Sequence, residues 1–299
     1  MDATMEKGSF RVMRPASTFV FALTLALMGG GTGHSLRAHI APQTVQFRSG
    51  DLHLKAFLWT PNGPGPFPTV LFNHGSGGPD AAYTAGIPIT QAAERLAPVF
   101  VKHGYAFFFP FRRGQGLSAD QAPFLQDVLQ REETARGKEA REHLKFVLMT
   151  TEQLDDVVAA LAFLRTRPEI DSHRVVVSGH SFGGQLTLLA AERDSTVRAA
   201  VTFAAAAESW ERSPELRERL LTAVRKATAP ILFIQAANDY STAVSRDLAR
   251  EMERLQKPYI MKIYPPVGKS AEDGHNVIYT DISLWEDDVF KFLDEGLKR

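Results

Sequence analysis

Val175-Val176-Val177-Ser178-Gly179-His180-Ser181-Phe182-Gly183-Gly184 is the stretch that decides the fold. Three β-branched residues read as a buried strand, and Gln185 to Glu192, rich in Leu and Ala, reads as a packed helix. Between them stands Gly-x-Ser-x-Gly, a pattern that forces a serine onto a tight strand-to-helix turn with its hydroxyl exposed and its neighbours small. With glycine usage of about 7%, the five residues alone recur by chance about once in ten chains of this length, so the flanking strand and helix carry the weight. Ser181 is the candidate nucleophile.

Outward from this point the chain alternates extended and helical stretches, as expected of a mainly parallel sheet covered on both faces. Thr44 to Phe47 and Leu52 to Trp59 predict an antiparallel hairpin. Strands follow at Thr69 to Phe72, Tyr105 to Phe111, Val197 to Phe203, Pro230 to Gln235 and Tyr259 to Ile263. A helix is predicted from Thr150, where Thr150 and Gln153 fit a capping box and Leu154, Val157, Val158, Leu161 and Leu164 share one face. Residues 118–149 and 206–228 are charged and helix-prone, and are expected to be helical insertions above the carboxyl ends of the strands.

The bulk properties narrow the function. The chain has 299 residues, with 34 basic and 34 acidic side chains, which removes any electrostatic case for nucleic acid. It contains no cysteine, so disulfides, thiolate metal sites and a cysteine nucleophile are excluded. Residues 1–39 read as a secretory signal peptide: Lys7, Arg11 and Arg14 precede the apolar run Phe19 to Met28, and glycines 29–31 and 33 break it. This ten-residue run falls short of the roughly 20 apolar residues a spanning helix needs. A secreted or periplasmic protein is expected, without a stable membrane span and without a cysteine to carry a lipid anchor. Residues 40–299 are expected to form a single domain.

A serine hydroxyl needs a base to take its proton and a carboxylate to orient that base. Asp239 follows the strand Pro230 to Gln235, and His275 follows the last strand in Asp273-Gly274-His275-Asn276. Glu208 is the substitute acid if Asp239 is only a turn residue. The other histidines lie before the nucleophile in the chain, and His180 should point away from a strained turn. Two backbone donors must face the oxyanion of a tetrahedral intermediate. Phe182 N–H is one; Ser76, Gly75 or Gly77 in Asn73-His74-Gly75-Ser76-Gly77 supplies the other. Tyr240 and Trp210, with Phe124 and Phe146, are candidates to line a substrate pocket.

These residues, with Arg113-Gly114-Gln115-Gly116-Leu117-Ser118 after a strand, resemble the α/β-hydrolase superfamily, nearest to its dienelactone hydrolase and prolyl-oligopeptidase-like branch. The order Ser181, Asp239, His275 is the order of that fold. Dienelactone hydrolases proper use a cysteine where this chain has Ser181. The resemblance implies a carboxylic ester hydrolase working through an acyl-enzyme on a small acyl substrate, with no metal or organic cofactor. The alternative is a serine peptidase or amidase of the prolyl-oligopeptidase-like type without a propeller. The Arg-Gly-x-Gly-x-Ser element is then mainly a structural turn.

Overall fold

Val175 and Val177 face one hydrophobic core and Val176 the other, which is why this strand carries no polar alternation. It is the centre of an eight-stranded sheet in a computed structural model that describes residues 41–76 and 88–298. The strands are β1 (Gln43–Ser49), β2 (Leu52–Trp59), β3 (Phe67–Asn73), β4 (Ala106–Pro110), β5 (Ile170–His180), β6 (Ala200–Phe203), β7 (Ile231–Ala236) and β8 (Tyr259–Tyr264). Their order is β1-β2-β4-β3-β5-β6-β7-β8. β2 pairs antiparallel with β1 and β4, and every other pairing is parallel. This is the α/β-hydrolase fold. The expected signal peptide, 1–39, lies outside the described residues.

Helices cover both faces, as two-sided burial requires. α1 (Ile89–Lys102) and α10 (Ile282–Leu297) close one face over Val176, Phe107 and Phe109. α4 (Glu152–Leu164), α5 (Phe182–Arg193), α6 (Pro214–Lys226) and α7 (Ala243–Arg254) contribute to the core on the other, over Val175, Val177 and Phe108. Each such side chain, fully buried, contributes about 1.5–3 kcal/mol. Two short helices, α8 (Ala271–His275) and α9 (Val277–Thr280), connect β8 to α10.

The two stretches expected as insertions differ in kind. In 118–149, α2 (Leu125–Arg136) and α3 (Lys138–Thr150) form an added pair whose Leu125, Leu129 and Met149 join the core. In 206–228, α6 is the crossover between β6 and β7, packed against α5 and α7, so only the turns before it adjoin the carboxyl ends of the strands. A right-handed parallel crossover needs such a helix, and its charged outer face gave it the look of an insertion. Among the described residues no helix is long and apolar enough to cross a membrane.

The expected capping box at Thr150 is absent. Thr150 ends α3 with its hydroxyl bonded back to the Phe146 carbonyl, and α4 starts after Thr151 without a side-chain cap. Gln153 is buried instead, and accepts a hydrogen bond from Arg112.

Candidate active site

Ser181 sits between β5 and α5 at φ 54° and ψ −119°, in the left-handed half of backbone space that β-carbon sterics disfavour by about 1–3 kcal/mol. Its N–H is anchored on the Phe203 carbonyl of β6 at 2.9 Å. Gly183 is required by contact: a Cβ there would lie 1.9 Å from the Asn73 carbonyl oxygen and 2.3 Å from that of His74. The first turn of α5 therefore rests directly on the backbone after β3. Gly183→Ala is expected to destabilise the fold by several kcal/mol, since both blocking atoms are backbone. Thermal unfolding of the variant checks this.

His275 ends α8, where sequence predicted a loop; a capping box between Ser270 and Asp273 starts that turn. Its Nε2 lies 3.0 Å from Ser181 Oγ, and its Nδ1 lies 2.8 Å from Asp239 Oδ1. Because the carboxylate is the acceptor, Nδ1 carries the proton and Nε2 is left to accept from the serine hydroxyl. Both side chains are buried. Asp239 Oδ1 also accepts from Tyr240 N–H at 2.7 Å, and Oδ2 from Gln235 Nε2 at 2.7 Å.

Two of these supports escaped the sequence reading. Gln235 is the penultimate residue of β7, four residues before Asp239, and its amide also donates to the Ser241 carbonyl at 2.9 Å, bracing the turn that carries the acid. Asn238 donates to the Val267 and Ser270 carbonyls and accepts from Val267 N–H, tying that turn to the segment that leads to the base. A Cβ on Gly274 would lie 2.5 Å from Asn238 Oδ1, so the two segments touch. The signal available was the Ala-Asn-Asp and Gly-His pairing at successive strand ends. Asp273, by contrast, caps α8 through Lys269 N–H and Ser270, which holds its carboxyl below the usual range.

His180 points away from the nucleophile, as expected, and its Nε2 meets the His275 carbonyl at 2.9 Å. A carbonyl only accepts, so Nε2 carries the proton. Burial, with the nearby His275, holds the His180 pKa well below the usual value. Burial and the neighbouring Arg112 do the same to His74. Both rings are neutral in the folded protein and become protonated in the unfolded chain below pH 6.5. The unfolded state therefore binds more protons there, and stability falls as pH drops. Between pH 7.5 and 5.5 the two rings are expected to remove about 2–3 kcal/mol, read by urea unfolding at the two pH values.

The remaining candidates separate clearly. Phe182 opens α5, where its N–H has no intrahelical acceptor. Gly75 and Ser76 follow β3, with Gly75 buried and Ser76 half-buried; Gly77 lies outside the described residues. Tyr240 is 43% exposed, with its ring edge-on to His275 at 5.2 Å, and it lines an open cleft of about 270 Å³ with Glu208, Glu211 and Arg212. Trp210 is in the core, not on that cleft, because its indole N–H finds Asp247 of α7 at 3.0 Å. Glu208 is exposed, whereas Asp239 holds the histidine. Phe124 and Phe146 are half-buried, and Phe146 packs against the core. Arg113 pairs with buried Asp156 at 2.8 Å, a structural contact.

Residues 54–279 match the family model described as dienelactone hydrolase family. Among curated proteins the chain is 32% identical to the quorum-quenching protein AidA of Acinetobacter baumannii, over 54% of this chain and 43% of that one. It is 29% identical to a probable 2-oxo-3-(5-oxofuran-2-ylidene)propanoate lactonase of Bradyrhizobium sp., over 44% of this chain and 53% of that one. The aligned region thus spans about half the length of these relatives. Among solved structures, dienelactone hydrolase from Anabaena variabilis superimposes with TM-score 0.59 at 22% identity, over 85% of this chain and 98% of that one. Pyrococcus horikoshii acylaminoacyl peptidase gives TM-score 0.59 at 21% identity, over 86% and 41%. Those two likenesses speak to the fold alone. The family match covers most of the sheet and the elements around Ser181 and His275, so this chain belongs to the dienelactone hydrolase family.

Proposed function

We propose that this protein is a hydrolase that cleaves carboxylic esters, lactones included, through an acyl-enzyme on Ser181. The observation that carries the reading is the continuous relay of Ser181 Oγ, His275 and Asp239 at 3.0 and 2.8 Å. Ser181 Oγ attacks the acyl carbon while His275 Nε2 takes its proton. The oxyanion is met by Phe182 N–H and by an N–H of the segment after β3, with Ser76 the leading donor and Gly75 the other. Collapse expels the alcohol, which takes the proton back from Nε2. A water then repeats the sequence on the acyl-enzyme and returns the enzyme to its start. The lactonase name among the relatives supports cyclic esters as one substrate form, in which the expelled alcohol stays tethered to the acyl group.

A fluorophosphonate probe is expected to label the protein on Ser181 and to leave Ser181→Ala unlabelled. A matched aryl ester is expected to turn over at least a hundredfold faster than the corresponding anilide, because an amine leaving group demands more of the proton transfer. Equal rates would move the assignment to the peptidase or amidase reading.

A further inference from the structure

Arg112 is almost wholly buried, directly after β4, and its side chain reaches the segment that follows β3. One terminal nitrogen donates to the His74 carbonyl at 2.9 Å and the other to the Gly75 carbonyl at 2.9 Å. Its Nε donates to Gln153 Oε1 of α4 at 3.0 Å, which sets the plane of the guanidinium. Its own backbone N–H reaches His74 Nε2 at 3.4 Å; with Nε2 accepting, Nδ1 carries the proton and donates to the Gly75 carbonyl at 2.9 Å, and the 3.1 Å approach of the guanidinium to Nδ1 is then a packing contact of two donors that share the Gly75 oxygen. The Gly75 oxygen is therefore held from two directions.

A trans peptide is planar, and its carbonyl and N–H point to opposite sides. Fixing the His74 carbonyl fixes the Gly75 N–H, and fixing the Gly75 carbonyl fixes the Ser76 N–H. Both candidate oxyanion donors on this side of the site are thus oriented from behind by one side chain. The same guanidinium carbon lies 5.5 Å from the centre of the Phe182 ring, and Phe182 supplies the other donor. We propose that Arg112 is a positioning residue for the oxyanion hole, aiming the Gly75 and Ser76 N–H groups through their carbonyls. The inference rests on the acyl-transfer reading above. It assigns Arg112 no contact with substrate.

A residue that only packs the core would affect stability without discriminating between ground state and tetrahedral state. The test compares kcat, KM and the inhibition constant of an aryl trifluoromethyl ketone, which forms a tetrahedral adduct with the serine, using p-nitrophenyl butyrate as substrate. Arg112→Met is expected to lower kcat by about 10²-fold, the effect of losing one oxyanion donor, with KM within about threefold. The ketone should weaken by the same factor as kcat/KM. Arg112→Lys, whose point charge satisfies one carbonyl but not two at fixed angles, should fall between, at about tenfold. Unchanged kcat, a loss confined to KM, or unchanged ketone affinity in folded protein overturns the proposal.

If Arg112→Met does not fold, Gln153→Leu decides: it frees the guanidinium plane without touching the segment after β3. A loss of at least threefold in kcat, shared by the ketone, supports the role, and wild-type values overturn it. Ser181→Ala is run alongside. Full activity in that variant removes the acyl-transfer reading and this inference with it, whereas an inactive Ser181→Ala beside undisturbed Arg112 variants overturns only the role of Arg112.

Discussion

Ser181→Ala and His275→Ala are each expected to lower kcat on an activated ester by about 10⁵–10⁶-fold, and the double variant by no more than either alone. The two side chains form one device, because the hydroxyl is a useful nucleophile only while Nε2 can take its proton at 3.0 Å. Removing the histidine leaves a serine that is almost entirely protonated, and removing the serine leaves a base with nothing to activate. Stopped assays with burst-phase detection separate this from slow acyl-enzyme breakdown. Additive losses would mean that two independent routes to product exist and would break the proposed relay. Ser181→Ala should keep the unfolding midpoint of the parent within a few degrees, whereas His275→Ala, which removes the buried partner of Asp239, is expected to lower it while leaving the protein folded.

Asp239→Asn is expected to cost about 10⁴-fold in kcat, as replacement of the orienting carboxylate does in the serine protease template. The local geometry explains why an isosteric amide cannot substitute. In the parent all three groups facing the carboxylate, His275 Nδ1, Tyr240 N–H and Gln235 Nε2, are donors. An amide has one acceptor oxygen, so its NH₂ must face one or more of those donors whichever way it turns. With the NH₂ toward Gln235 it opposes an amide already committed to the Ser241 carbonyl. With the NH₂ toward His275 it donates to Nδ1, driving the imidazole proton to Nε2, where it can no longer accept from Ser181. A pH–rate profile in which kcat is low throughout, with KM little changed, is the expected signature. Wild-type kcat would show that the carboxylate is not what sets the tautomer.

Much of this was legible in the chain because it is carried by local patterns. Three successive valines filling two cores, a glycine pair around a serine and Asp and His at the ends of successive strands each have a direct reading in periodicity or turn chemistry. The parts that escaped share a different property. The spacing of Gln153 from Thr150 suits a capping partner, yet it faces inward to a guanidinium that arrives from the segment after β4, 41 positions away. Trp210 suggests pocket lining because it lies in a stretch that looks like an insertion above the strands, but its indole N–H meets Asp247 on α7. The charged face of α6 looked like an insertion, although its Leu216, Leu220 and Val224 bury in the core like those of any crossover helix. Spacing within one element reveals which face is apolar; it cannot show which distant side chain will meet a polar group on that face.

The placement of β5 between β3 and β6 has a consequence for how activity is acquired during folding. The base and the nucleophile are 94 positions apart, and Arg112 meets its loop across 38. None of these contacts forms within a single helix or hairpin, and long-range strand pairings are the slow events of folding. Secondary structure and partial collapse can therefore recover well before a competent site exists. In a refolding time course, reactivity toward a serine-directed probe is a clock for closure of the whole sheet, reading a later event than any helical signal.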